Sequence, residues 1–458
     1  MELYITEISR YVITFLLGAY TVLGLFTFKF KGEKRRQILY IFQDIFMFLL
    51  FTACFIQIEA KVKDINYLFF FSVIVVIIFA AIVLYHMIYP DGNRLIINNM
   101  CMLLMIGFIM ITRLSFSKSV RQFIIASGSI IIGFFVPDII FKFKKLRDYS
   151  IVYAILGLVA IGIVLLLGSA TNGSKISYTF LGVTFQPSEP VKILFILFVA
   201  ASLYKSTDIV HVMTTSALAA AHVIILVLSK DLGSALIFFV VYLFMLFVAT
   251  KNFVYLGSGI LLGCFASIVA YKLFTHIQVR VSAWLDPFSQ VESGGYQISQ
   301  SLFGISSGGW FGLGLFGGSP ESIPYVEADF IFSAIAEEFG IIFACIMIVI
   351  CLSTFIMMMY EAYRLKDRFY QLIGVGIAVT YIFQVFLTIG GGTKFIPLTG
   401  VTLPFVSYGG TSVLTTVLLM SMFEGITVIR YEESYKDYLK RKKERQEYEE
   451  NYEAYRQE

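Results

Sequence analysis

The chain reads IPYVEADFIFSAIAEEFG from Ile323 to Gly340, and its last two residues open the apolar run FGIIFACIMIVICLSTFIMMMY, Phe339 to Tyr360. A bilayer core of ~30 Å is crossed by about 20 helical residues, because irregular backbone facing lipid leaves peptide groups without partners. Phe339–Tyr360 meets that length, so it reads as a membrane-spanning helix with a carboxylate, Asp329, at its mouth. Glu337 and Glu338 lie two turns deeper. Charged groups beside or within a span are costly and mark either an internal ion pair or a functional interior.

The whole chain repeats this apolar pattern. Its 458 residues are 58% hydrophobic and 14% charged, with a mean hydropathy of +0.82, which is more apolar surface than one soluble core can hide. Thirteen stretches between Tyr11 and Ile429 are candidate spans, those at Cys101–Phe116 and Val191–Tyr204 being the least regular. The expected fold is all-α, a polytopic transmembrane helical bundle. Net charge is only +4 and gathers in short loops, which gives no support to nucleic-acid binding. The five cysteines, Cys54, Cys101, Cys264, Cys345 and Cys351, sit in apolar runs without a C-x-x-C pair, so neither disulfides nor a zinc site is indicated. The start, MELYITEISR, lacks a basic n-region, so the first span is expected to stay in the membrane rather than be cleaved.

Basic residues are retained on the cytoplasmic side. With thirteen spans, KFKGEKRRQ (Lys29 to Gln37), KFKKLRD (Lys142 to Asp148), YRLKDR (Tyr363 to Arg368) and the charged tail after Ile429 share one side. The amino terminus and the segment between Phe274 and Phe339 then face outward, and the carboxyl terminus faces the cytoplasm. RLSFSKSVRQ (Arg113 to Gln122) breaks the rule, being basic yet outward.

Three outward clusters are polar. In FQPSEPVK (Phe185 to Lys192), the prolines suit a helix start, Ser188 can cap it, and Glu189 shares a face with Lys192 three residues on; a capped start with a local ion pair accounts for them. In SKDLGSA (Ser229 to Ala235), Asp231 can cap the next helix. The third is the long outward segment, with RVSAWLDPF (Arg280 to Phe288), GGYQISQSLFGISSGGWFGLGLFGG (Gly294 to Gly318) and the opening stretch. Both tryptophans, Trp284 and Trp310, are here, as suits a membrane boundary, and the glycines favour a segment folded back along the surface. Asp329 suits either a helix cap or a catalytic or substrate-binding carboxylate. The histidines, His86, His211, His222 and His276, show no metal-ligand spacing.

The order FQPSE, DLGSAL, R-x-x-x-WLDP with GYQ-x-x-QSL-x-x-x-SGG, DFIFSAIAEEFG and PLTGVTLPFVSYGGTS (Pro397 to Ser412) resembles the SEDS family of peptidoglycan glycosyltransferases, the FtsW/RodA/SpoVE group. The resemblance runs from about Cys101 to Ile429. It implies a SEDS-type ten-helix core over residues 98–430 with a large extracytoplasmic loop, 275–338, preceded by about three extra helices in 1–97 and followed by a charged cytoplasmic tail, 431–458. It also implies a multi-pass protein of the inner or plasma membrane. The family's catalytic acid maps onto Asp329. Its helix-start motif maps onto Gln186, Pro187, Ser188, Glu189 and Lys192, and its late patch onto Pro397, Thr399, Gly400, Pro404, Ser407, Tyr408 and Gly409. Two departures stand out: Glu327 and Ala328 precede Asp329 where many relatives read H-T-D, and NGSKISY (Asn172 to Tyr178) lacks a tryptophan common there.

Membership implies polymerisation of lipid II, with the glycan leaving its undecaprenyl pyrophosphate carrier for a C4 hydroxyl. A positioned carboxylate suits the role of general base, which Asp329 would fill, and Arg280 and Lys394 are candidates to hold the pyrophosphate charge. No cofactor is required; a divalent cation could serve, though no ligand cluster compels one. Expected partners are lipid II, membrane lipid and a class B penicillin-binding protein acting as transpeptidase. The rival readings are a lipid II flippase, which would place essential charges near the bilayer midplane, and a scaffold without chemistry.

Overall fold

The computed structural model describes residues 2–30, 32–167, 169–171, 174–180 and 183–457. Helices dominate: α1 (Glu2–Lys29), α2 (Glu33–Val62), α3 (Ile65–Ile88), α4 (Arg94–Leu114), α5 (Phe116–Gly133) and α6 (Val136–Lys142) come first. Then follow α7 (Ser150–Leu167), α8 (Ser188–Lys205), α9 (Ile209–Leu228), α10 (Leu232–Thr250) and α11 (Phe253–Leu273). The long loop carries α12 (Thr275–Leu285) and α13 (Tyr296–Gly308), and α14 (Ile331–Tyr363), α15 (Arg368–Gly392) and α16 (Gly410–Gln457) complete the chain. Between α7 and α8 a small antiparallel sheet interrupts the helices, β1 (Ser169–Thr171), β2 (Ser174–Phe180) and β3 (Val183–Phe185), in the order β1-β2-β3. That sheet occupies the NGSKISY region, where the sequence pattern predicts only a loop; Asn172 and Gly173 lie outside the described residues.

Among the described residues, eleven helices are long and apolar enough to cross a membrane, α5 and α6 counting as one, and the protein is a multi-pass helical bundle. Two of the thirteen expected spans fall short of that measure. Ser150–Leu166 is shorter, and α8 carries Glu189, Lys192 and Lys205. Short polar caps end several helices: Asp64 accepts from Asn66 N, Asn252 from Val254 N and Asp367 from Phe369 N.

α4 runs through the middle of the bundle, with every residue from Leu95 to Arg113 buried. Its asparagines join the first helices to the rest. Asn99 accepts from the Tyr20 hydroxyl at 2.9 Å and donates to Ser353 Oγ and Thr354 Oγ1 at 3.1 and 2.9 Å, while Asn98 donates to Asp44 at 2.6 Å. Interhelical side-chain bonds of this kind add modest stability in an apolar bundle, where lipid competes equally well for apolar contacts.

α14 is two helices in one register. Gly340 has φ +87°, and a Cβ there would lie 2.4 Å from both Gly312 N and Trp310 O, so a strap of the long loop passes directly through the break. The apolar run seen in the sequence at Phe339 therefore begins where the membrane-length half begins, and a shorter half-helix, starting at Ile331, precedes it.

At the end of the bundle that carries this loop, two of the three basic residues of RLSFSKSVRQ, Arg113 and Lys118, are paired with carboxylates. Arg113 Nε meets Glu338 Oε1 at 2.6 Å, with side-chain exposures of 5% and 0%, and its Nη1 pairs with Glu321. Lys118 pairs with Glu327. Charge that is neutralised locally carries little topological information, which explains why this stretch departs from the pattern of the other basic loops. Removing one partner of a buried pair strands the other and costs about 3–5 kcal/mol. Arg113→Met is expected to lower the yield of folded protein and its unfolding temperature, and Arg113→Met combined with Glu338→Leu to recover much of the loss. Equal stability of the two variants in a thermal-shift measurement would contradict the pairing.

Candidate active site

Four chain segments meet at the loop end of the bundle: the start of α14, helix α12, the start of α8 with the α9–α10 turn, and the stretch from Pro397 to Gly409. Asp329 lies just before α14, its amide donating to Tyr325 O at 3.2 Å. Arg280, on α12, donates from Nη1 to the carbonyls of Leu398 and Thr399, both at 3.2 Å, and so ties α12 to the Pro397–Gly409 stretch. Gly400 (φ +77°) lies between them: a Cβ there would be 3.7 Å from Asp329 Oδ2 and 4.0 Å from Arg280 Nη2. A glycine keeps that space open in front of the carboxylate.

Burial pushes the Asp329 carboxyl up from 3.8 to about 6; the Arg280 charge opposes the rise and Glu327 adds to it. The residue as a whole keeps some exposure, and the absence of a side chain at Gly400 leaves room beside its Oδ2. Burial likewise lowers Arg280 from its ordinary value, countered by Asp329 and Asp231. His276 is held below its usual value by burial and by Arg280 and Lys230. A carboxyl raised toward neutrality thus faces the Arg280 guanidinium, and Lys230, which sequence reasoning passed over, adds positive charge beside His276, on the same helix as Arg280.

The sequence-predicted residues fall into three groups. Glu327, Ala328 and Asp329 lie along the late patch: Tyr408 N donates to Glu327 O at 2.7 Å and Ser407 Oγ to Ala328 O at 2.5 Å. Gln122 of α5 holds the same patch, accepting from Gly409 N and donating to Ser407 O, both at 3.0 Å. Lys118 stands 5.9 Å from the centre of the Tyr408 ring. Ser407, Tyr408 and Gly409 therefore fix the backbone that presents Asp329. Glu327, one of the departures from the family pattern, is paired to Lys118.

The second group is Gln186 and Ser188, gathered by Asp231. That carboxylate caps α10 by accepting from Ser234 N at 3.1 Å, and also accepts from Ser188 Oγ at 2.8 Å and Gln186 Nε2 at 3.1 Å. Ser188 thus bonds to a carboxylate instead of capping its own helix, which makes no side-chain cap bond. Lys192 leads inward, its Nζ donating to Glu189 Oε1 at 2.8 Å and Gln384 Oε1 at 3.0 Å, and Gln384 in turn donates to Thr402 O at 3.1 Å. Both ions of this pair are buried.

Lys394 makes the third. It is at the site's edge through its carbonyl, which accepts from Trp284 Nε1 at 3.1 Å; no hydrogen bond or ion pair to its ammonium is present among the described residues. Nor, among those residues, is there a cluster of three or more His, Cys, Asp or Glu that could hold a metal. Lys118, Gln122 and Gln384 were missed because each lies in an apolar span or beside one. The one available signal was the basic charge of RLSFSKSVRQ on the unexpected side.

The Glu189–Lys192 pair is expected to serve folding more than turnover. Lys192→Met and Glu189→Gln should each reduce the amount of monodisperse protein more than the rate per folded molecule, since each strands a buried charge. Normal accumulation with lost activity, measured by size-exclusion yield against normalised turnover, would make the pair catalytic instead.

A family model for cell cycle proteins of the FtsW/RodA/SpoVE type matches residues 93–432. The peptidoglycan glycosyltransferase RodA of Mycobacterium tuberculosis H37Rv is 34% identical over 303 residues, which are 62% of this chain and 65% of that protein. This chain therefore spans just under two thirds of the length of that relative. A probable peptidoglycan glycosyltransferase FtsW of Aeromonas salmonicida is 31% identical over 288 residues, 60% of this chain and 73% of that protein. Among solved structures, a chain from a study of polymerization and crosslinking by a peptidoglycan synthase complex aligns with TM-score 0.63 at 22% identity, covering 75% of this chain and 98% of its own. The rod shape determining protein RodA of Thermus thermophilus aligns with TM-score 0.58 at 21% identity, covering 74% and 98%.

Proposed function

The chain belongs to the FtsW/RodA/SpoVE family, and on that premise we propose that it is a peptidoglycan glycosyltransferase that polymerises lipid II, with Asp329 as its general base. The observation that carries this reading is a carboxyl raised by burial to about 6 that faces Arg280 across the open space at Gly400. The acceptor C4 hydroxyl is a weak nucleophile. As its oxygen bonds to the anomeric carbon of the growing glycan, Asp329 takes its proton, and the bond from that carbon to the pyrophosphate oxygen breaks on the opposite face with inversion. Undecaprenyl pyrophosphate leaves with the bonding pair, its negative charge met by Arg280. The reading calls on no cofactor. Lys394, whose ammonium has no partner among the described residues, is retained as a second candidate cation at the rim.

A flippase would need its essential charge near the bilayer midplane. Asp329 precedes α14 and lies outside the membrane-crossing helices, which favours polymerisation. We assign this end of the bundle to the extracytoplasmic side and the α16 tail to the cytoplasm. Lipid II can keep its tail in the bilayer while its head group reaches the carboxylate. A class B penicillin-binding protein is the proposed crosslinking partner, its single helix packing on the bundle; the fold shared with a chain from a peptidoglycan synthase complex supports a partner of that kind.

Sidedness has a direct check. Cysteine introduced at the exposed Gly294 is expected to react with a membrane-impermeant maleimide in whole cells, and cysteine at the exposed Lys34 only after lysis; the reverse order would sink the assignment.

Asp329→Asn keeps the side chain's size but cannot accept a proton, so it should fold and bind lipid II while polymerising ~10²–10⁴-fold more slowly. Glu327→Gln should cost far less, its charge being committed to Lys118. Because the base must be ionised and its carboxyl titrates at about 6, kcat/KM should be flat above that pH and fall tenfold per unit below it. Glycan-chain assays over a pH series test both statements, and wild-type rates from Asp329→Asn would remove the mechanism.

A further inference from the structure

Residues 1–92 lie outside the family match, yet their first helix touches the strap that runs through the break in α14. Arg10 Nη1 donates to the carbonyl of Gly312 at 3.1 Å. The Tyr11 ring packs on Phe311 with centroids 4.9 Å apart, and the Arg10 guanidinium lies 5.1 Å from the same Tyr11 ring. Glu7, one turn before, pairs with the other arm of Arg10 and orients it.

The strap is bound to both halves of α14 by backbone–backbone hydrogen bonds. Leu313 N and Gly314 N donate to the carbonyls of Glu337 and Glu338 at 3.0 and 2.9 Å, and Ile341 N and Ile342 N donate back to Gly309 and Trp310 at 3.0 and 3.2 Å. These are the backbone groups that the break at Gly340 would otherwise leave unpaired. The half-helix from Ile331 to Phe339 is thereby fixed by the strap, and Asp329 stands at its far end, two residues before its first turn. A shift of the strap moves this half-helix relative to the membrane-length half, and the carboxylate moves with it.

We infer that the amino-terminal helix is a built-in clamp on this strap, with Arg10 and Tyr11 as positioning residues that set where Asp329 sits relative to Arg280. Arg10 touches no reacting atom. It bonds to the peptide of Gly312, whose own N–H donates to Gly308 O at 2.9 Å, so the clamp holds the tightest part of the strap. The rest of the extra unit anchors the clamp: α1 packs along α14 and α2, and the Tyr20–Asn99 bond fixes α1 against the central helix. The chain thus carries, outside the segment matched by the family model, a contact that bears on the geometry of its own site.

The inference depends on the proposed polymerase activity for its catalytic half only, and the test separates the two. In full-length protein in nanodiscs, Arg10→Met is expected to speed hydrogen–deuterium exchange at the amides of residues 312–314 and 341–342. It should lower kcat for lipid II polymerisation roughly tenfold to a hundredfold, as a displacement of about 1 Å does to a catalytic group, with KM little changed. Arg10→Lys, which keeps a donor, should restore most of both, and Tyr11→Leu should show a smaller version of the same pattern. Unchanged exchange in Arg10→Met overturns the clamp, and faster exchange with unchanged kcat, or a change confined to KM, overturns its positioning role. If the unaltered protein forms no glycan, the proposed function fails, and the exchange arm still decides whether the clamp exists.

Discussion

A peptide group left without a partner in an apolar surrounding costs several kcal/mol, so a broken helix inside a bundle survives only if something else supplies its hydrogen bonds. In this protein the strap through α14 is that supply. It exchanges backbone bonds with Glu337, Glu338, Ile341 and Ile342, and the glycines on both sides permit the two chains to meet without side chains between them. Most of the loop end follows from this crossing. Once the break is fixed, the carbonyls and carboxylates of Glu337 and Glu338 point into the loop, where Ser319 N donates to Glu337 Oε1 at 2.8 Å and Phe316 N to Glu338 Oε1 at 3.1 Å. Two acidic residues in a span are thus spent on holding a loop in place.

The electrostatics of the site rest on unequal treatment of its carboxylates. Glu327, Glu321 and Glu338 each have a basic partner in direct contact, and Asp231 is saturated by hydroxyl, amide and backbone donors. Asp329 has no ion pair within contact distance among the described residues, only Arg280 facing it across a gap. Among these carboxylates Asp329 is the one whose oxygens are committed neither to a basic partner in contact nor, as in Asp231, to neighbouring donors, which leaves it available to a ligand.

The helical architecture was legible because apolar length is a strong signal, and so were the motif segments that converge, since each carries glycines, prolines or charges that lipid-facing helices lack. What was hidden is pairing across long sequence separations. Nothing near Arg113 announces Glu338, and Gln122 and Gln384 look like polar accidents in apolar spans until Ser407, Gly409 and Lys192 are seen beside them. The α14 break was equally hidden: Gly340 reads as an ordinary glycine after EEF, and only the approach of Trp310 and Gly312 gives its backbone a reason to turn. The small sheet was missed although β2 alternates Ile176, Tyr178 and Phe180 with Ser177 and Thr179, because its strands are short and the apolar spans on either side dominate the pattern.

One helix gives the molecule a fixed reach. α16 continues unbroken from Gly410, beside the late patch, to Gln457, and the turn before α15 is fastened to it where Lys366 N donates to Glu433 at 2.9 Å and Lys366 Nζ pairs with Asp437. At 1.5 Å per residue the stretch from Tyr431 to Gln457 extends about 40 Å past the last apolar residues. The tail is therefore a stiff mast standing off the membrane, braced at its foot by the α14–α15 turn. A partner that grips the part of this helix beside Glu433 and Asp437 would also meet the α14–α15 turn that braces it.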